Sequence, residues 1–282
     1  MISYTFLVVA IGAGLLSLSA GAVGFLAVLN RQSLIGDAIG HSSFLGIVIS
    51  FMLFRTRSPI ILLIGAFVSG LLAYFFIILI KNNSKLKQDA ALAIVLSTFF
   101  AWGLALKSNI QGNENYNASN SSSLQSYIFG QAAFIMKSDV KVIFIMTIII
   151  LSLLFIFLKS LKISIFDPTY AKSIGINQRK IDVLMMFLII SVITIGLKLV
   201  GSILISSFLI IPAVTALVFT EKFNLGLIFS MLMALISSIL GSFLSQVYDN
   251  LSTGPVIIVI MSIISFFILL ISKRGLIRGD NI

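Results

Sequence analysis

The chain of 282 residues contains no cysteine, a single histidine and only 10% charged residues. Without cysteine there are no disulfides, no thiolate metal sites and no thiol nucleophile. A metal bound here must be held by oxygen and imidazole nitrogen. The lone histidine, His41, leaves no partner for a histidine relay or a His-Glu-x-x-His zinc site. No Gly-x-x-x-x-Gly-Lys-Ser/Thr loop is present, so the chain does not hydrolyse ATP by that route. No Gly-x-Ser-x-Gly nucleophile turn occurs either. Soluble domains carry about 25% charged residues, so a water-soluble globular enzyme is excluded.

What fills the chain instead is apolar. Hydrophobic residues make up 59% of it and the mean hydropathy is +1.16. They run in blocks of about 18 to 25 residues, enough to cross a hydrocarbon core of ~30 Å. The blocks lie at about 5–29, 37–54, 59–80, 89–106, 142–158, 181–197, 201–219, 225–247 and 254–271. The expectation is an all-α polytopic membrane protein with eight or nine transmembrane helices, forming one transmembrane domain over residues 1–282. The junction at Lys198 and Gly201 reads as two short helices or as one broken element. Met1 to Phe6 lacks the basic region of a signal peptide, so the first helix is expected to be retained.

The net charge of +10 comes from 19 Lys and Arg against nine acids. The basic residues are scattered through short loops, as suits bilayer headgroups and not nucleic acid. If the loop with Lys81, Lys85 and Lys87 is cytoplasmic, thirteen of the 19 basic residues fall inside and six outside. The positive-inside rule then places the N-terminus outside and the C-terminus in the cytoplasm. The Asn- and Ser-rich stretch 111–126 reads as a mobile outer loop. Its Asn-x-Ser triplets at Asn117 and Asn120 read as loop composition. Residues 127–134 are amphipathic and are expected to lie along the interface or dip into the membrane.

Ionisable residues inside a span are costly and point to function. The nine acids lie in loops or near span ends, and Asp37 is the one placed to lie deepest. His41 follows four residues later, on the same helical face. A carboxylate with an imidazole suits a divalent first-row metal. Two ligands are few for one ion, and a second copy across a two-fold axis would complete a four-donor set. Gly36 and Gly40 bracket Asp37 in a small-xxx-small spacing that allows helices to approach closely. Lys198, at a span end, is expected to snorkel to the interface.

Several segments resemble bacterial ABC permeases for manganese, zinc and iron. Arg31-Gln-Ser-Leu-Ile-Gly-Asp-Ala-Ile-Gly-His41 is similar to the family's Gly-Asp-Ala-(Ile/Leu)-Ser-His segment. Phe166-Asp-Pro-Thr-Tyr-Ala-Lys-Ser-Ile-Gly-Ile176 resembles its Phe-Asp-Pro loop. Asp89-Ala-Ala-Leu-Ala-Ile94, Leu197-Lys-Leu-Val-Gly201, Leu209-Ile-Ile-Pro-Ala-Val-Thr-Ala216 and Ser252-Thr-Gly-Pro255 match later blocks in order. One departure is Gly40, where the family usually has Ser, and its effect on metal selectivity is left open. The resemblance implies a fold related to the vitamin B12 and siderophore type II importers, in a bacterial plasma membrane. It implies cytoplasmic ATP-binding subunits, an extracellular metal-binding protein and a second permease subunit, identical or paralogous. It carries Asp37 and His41 over as ligands of a transported ion, manganese favoured over zinc or iron, with no intrinsic cofactor. It also assigns ATPase coupling to a segment from Pro212 to Asn224 with Thr215, Glu221 and Lys222 exposed. The loop from Lys159 to Lys180 competes for that role. A proton-coupled secondary carrier is the alternative reading, and a non-transporting scaffold comes third.

Overall fold

The computed structural model describes residues 4–56, 58–111, 124, 127–128, 130, 135–248 and 251–272. The Asn117 and Asn120 triplets, most of the 111–126 stretch and the basic C-terminal tail lie outside the described residues. Among the described residues eleven helices of defined extent follow one another and there is no strand. They are α1 (Tyr4–Leu29), α2 (Ile35–Phe54), α3 (Pro59–Asn83), α4 (Gln88–Gln111), α5 (Lys137–Ile156), α6 (Leu158–Phe166), α7 (Pro168–Ser173), α8 (Gln178–Gly196), α9 (Ile205–Phe219), α10 (Phe223–Val247) and α11 (Thr253–Ile271). A helix satisfies its own backbone groups, which an apolar run in lipid requires.

Each of the nine apolar stretches is a helix. Seven are long and apolar enough to cross a membrane: α1 to α5, α10 and α11. The other two flank the uncertain junction. Helix α8 opens on Arg179, Lys180 and Asp182, and α9 has only 15 residues, about 22 Å of rise. Between them residues 197–204 form turns rather than helix. The junction is therefore a break between two helices, and Lys198 lies half-buried within it.

The helices pack in two compact groups. One comprises residues 1–33, 132–192 and 207–282. Here α1 lies against α10 and α5, and α10 against α11. Small residues let the α1 and α10 backbones meet: Ser230 Oγ donates to the Gly21 carbonyl at 2.8 Å. A Cβ at Gly21 would stand 2.8 Å from the Ser230 oxygen, so only glycine fits that crossing. The other group holds residues 34–131 and 193–206, with α2, α3 and α4 in mutual contact. At the α2–α3 crossing Gly46 faces Gly65, and Ser69 Oγ donates to the Ser42 carbonyl at 2.7 Å.

Candidate functional site

Helix α2 begins at Ile35, so Asp37 is its third residue and His41 stands one turn on. The free N–H groups of a first helical turn favour a carboxylate there. His41 Nε2 lies 3.6 Å from Asp37 Oδ1, with side chains 15% and 41% exposed respectively. The carboxylate is thus the open side of the pair. The His41 ring stacks edge-on to Phe100, with centroids 4.8 Å apart, and its Nδ1 is buried with no hydrogen-bond partner.

The depth of the pair follows from its neighbours. Phe100 is in the middle of α4, which has 24 residues, and Ser69, bonded to Ser42, is in the middle of α3, which has 25. The pair therefore sits level with the middle of two membrane-length helices. Asp37 was expected to be the deepest acid because apolar Leu34 and Ile35 precede it. Asp139 meets the Met136 N–H and Asp167 the Tyr170 N–H at helix starts, and Asp182 accepts from Gln178.

The geometry allows both atoms to hold one ion. Ligand distances of about 2.1 Å and a 3.6 Å edge subtend an angle of about 120° at a shared metal. Among the described residues no third His, Cys, Asp or Glu joins them. A feature without a sequence signal does join them: Ser206 Oγ donates to Asp37 Oδ1 at 3.3 Å, from 169 positions away. Gly36 and Gly40 are buried. The close approach at Gly40 is made within the chain, since a Cβ there would lie 3.1 Å from the Ser202 carbonyl and 3.0 Å from Ile205 Cγ2.

The unwound stretch 197–204 is held from a second side. The N–H groups of Ser202 and Ile203 donate to the carbonyls of Tyr127 and Ile128. Both latter side chains are buried. Gly201, with φ +90, supplies the left-handed turn.

The segment from Pro212 to Asn224 needs a correction. Pro212 and Thr215 are inside α9 and buried, and Thr215, expected to be exposed, is 0% exposed. Its hydroxyl bonds the Ile211 carbonyl and the Ser265 hydroxyl, each at 2.7 Å, which turns it toward α11. Only residues 220–222 form the turn, where Glu221 and Lys222 are exposed. The competing loop 159–180 is also largely helical, as α6 and α7, and it touches the same place. Phe166 packs on Phe223 at 6.1 Å and Lys162 Nζ lies 4.9 Å from that ring. Phe25 packs on it as well, at 5.6 Å. The two candidates therefore share one surface around Phe223.

Comparison with known proteins agrees with this layout. The profile of the ABC 3 transport family matches residues 3–272. The chain belongs to that family. It is a multi-pass membrane protein and a transport component of the ABC type. It is 36% identical to the manganese transport system membrane protein MntC of Bacillus subtilis over 94% of its own length, and spans 60% of that relative. It is 36% identical to the zinc transport system membrane protein TroC of Treponema pallidum, over 96% of this chain and 91% of that one. In structure it resembles PsaBC from Streptococcus pneumoniae in complex with Fab, with a TM-score of 0.85 and 30% identity, covering 97% of this chain and 94% of that chain. The same fold is found in a metal-chelate type ABC transporter, at 17% identity and a TM-score of 0.69, covering 93% and 84% of the two chains.

Proposed function

We propose that this chain is the permease of an ATP-driven importer for a divalent transition metal, with Asp37 and His41 as ligands in the ion's path. One observation carries the reading: the only histidine in the chain stands 3.6 Å from a carboxylate, level with the middle of two membrane-length helices. Such a pair is costly to keep in lipid without a use. Relatives named for manganese and zinc transport support manganese first, with zinc or iron admitted by the imidazole. Two donors bind loosely enough for the ion to leave again.

The ATPase lies in partner subunits, which dock on the cytoplasmic surface around Phe223, Glu221 and Lys222. A metal-binding protein delivers the ion from outside, and a second permease subunit completes the pore and its ligand set. The N-terminus is outside and the C-terminus in the cytoplasm, following the excess of basic residues in the inner loops. ATP binding and hydrolysis in the partners then open the ion site to one face and the other in turn.

The test is reconstitution in proteoliposomes with the ATPase and the delivery protein. Manganese uptake should require ATP and persist when the proton gradient is collapsed. Uptake that needs the gradient but no ATP contradicts the proposal.

A further inference from the structure

Within one chain the ion site described above has one carboxylate and one imidazole, and no further acid or histidine among the described residues. We propose that Ser206 supplies a third donor, its hydroxyl oxygen binding the ion beside Asp37 Oδ1 and His41 Nε2. The inference rests on the reading of Asp37 and His41 as ligands, and names a further residue of the same site.

Three observations carry it. First, Asp37 Oδ1 is shared, with His41 Nε2 at 3.6 Å and Ser206 Oγ at 3.3 Å. At ligand distances of about 2.1 Å, these two edges subtend angles of about 120° and about 105°. Both fit donors around one ion. Second, Ser206 is delivered by a built feature. The chain unwinds over 197–204, turns at Gly201, is pinned by the Tyr127 and Ile128 carbonyls, and restarts as α9 one residue before Ser206. Gly40 lets this restart come against α2, because any Cβ would press on Ser202 and Ile205. Broken helices at mid-membrane are where transporters place ion donors. Third, a hydroxyl serves both states. It donates to the carboxylate when the site is empty and turns a lone pair to the ion when it arrives. A second oxygen also makes the donor set harder, which favours manganese over thiolate-preferring ions.

The absence of cysteine from the chain gives a direct test. Ser206→Cys places a single thiol in the permease, and Cd2+ is the probe. If Ser206 is a donor, Cd2+ added to the reconstituted variant produces an ultraviolet thiolate–cadmium charge-transfer band. Its midpoint should move at least about tenfold to higher Cd2+ when Asp37→Ala is added. Ser173→Cys, an exposed position on α7, should give no such Asp37-dependent band. In transport assays Ser206→Ala should raise the KM for manganese about tenfold, while Ser206→Thr, which keeps the hydroxyl, should restore it. A missing band, or one indifferent to Asp37, overturns the assignment. So does a KM that is equal for parent, Ala and Thr forms. Manganese uptake that survives Asp37→Ala in the parent overturns the underlying site, and the Ser206 assignment with it. Loss of uptake in Asp37→Ala beside an unaffected Ser206→Ala removes Ser206 alone.

Discussion

At the scale of residues, the account rests on a histidine and an aspartate one helical turn apart. If His41 Nε2 holds the ion, protonation occupies the lone pair that the metal needs. Uptake should therefore fall in acid, and a flat profile removes His41 from the ligand set. The Asp37 and His41 pair was legible in the sequence because an i, i+4 spacing is local and the residue types are rare in this chain. Ser206 was not legible. It is one serine among many, its partner is 169 positions away, and only the break before α9 brings the two together. Thr215 failed because the resemblance alone placed it in an exposed coupling segment, whereas its hydroxyl meets Ser265 on α11.

At the scale of elements, long apolar runs made every one of the nine stretches readable as a helix. What the runs did not show was how α2 sits against α3 and α4. That position is fixed by packing, through Phe100 and Ser69. The α2–α3 crossing depends on Gly46 and Gly65, whose missing side chains admit the facing backbone and the Ser50 hydroxyl. Overpacking such a contact costs about 1–3 kcal/mol. Gly65→Ala should therefore lower the melting temperature of the purified permease by several degrees, and a Tm equal to the parent's contradicts the close crossing. Buried Phe223 joins α6 to the turn at Glu221 and Lys222. Phe223→Ala should cut ATP-driven uptake severalfold while metal binding to the permease stays unchanged. Equal losses in binding and uptake would show that Phe223 supports the fold as a whole and not coupling.

At the scale of the whole molecule, composition alone separated a membrane protein from a soluble enzyme, and six short blocks in order pointed to the family before any fold was known. The family model matches residues 3–272. The identity of the cargo is not written so plainly, because one oxygen–nitrogen pair suits several divalent ions. The most direct measurement is uptake of radioactive manganese into proteoliposomes holding the permease, its ATPase and its delivery protein, beside an Asp37→Ala, His41→Ala double variant. The account predicts ATP-dependent uptake by the parent and a fall of at least about tenfold in the double variant, with assembly of the complex intact. Undiminished uptake by the double variant would place the ion's path elsewhere in the molecule.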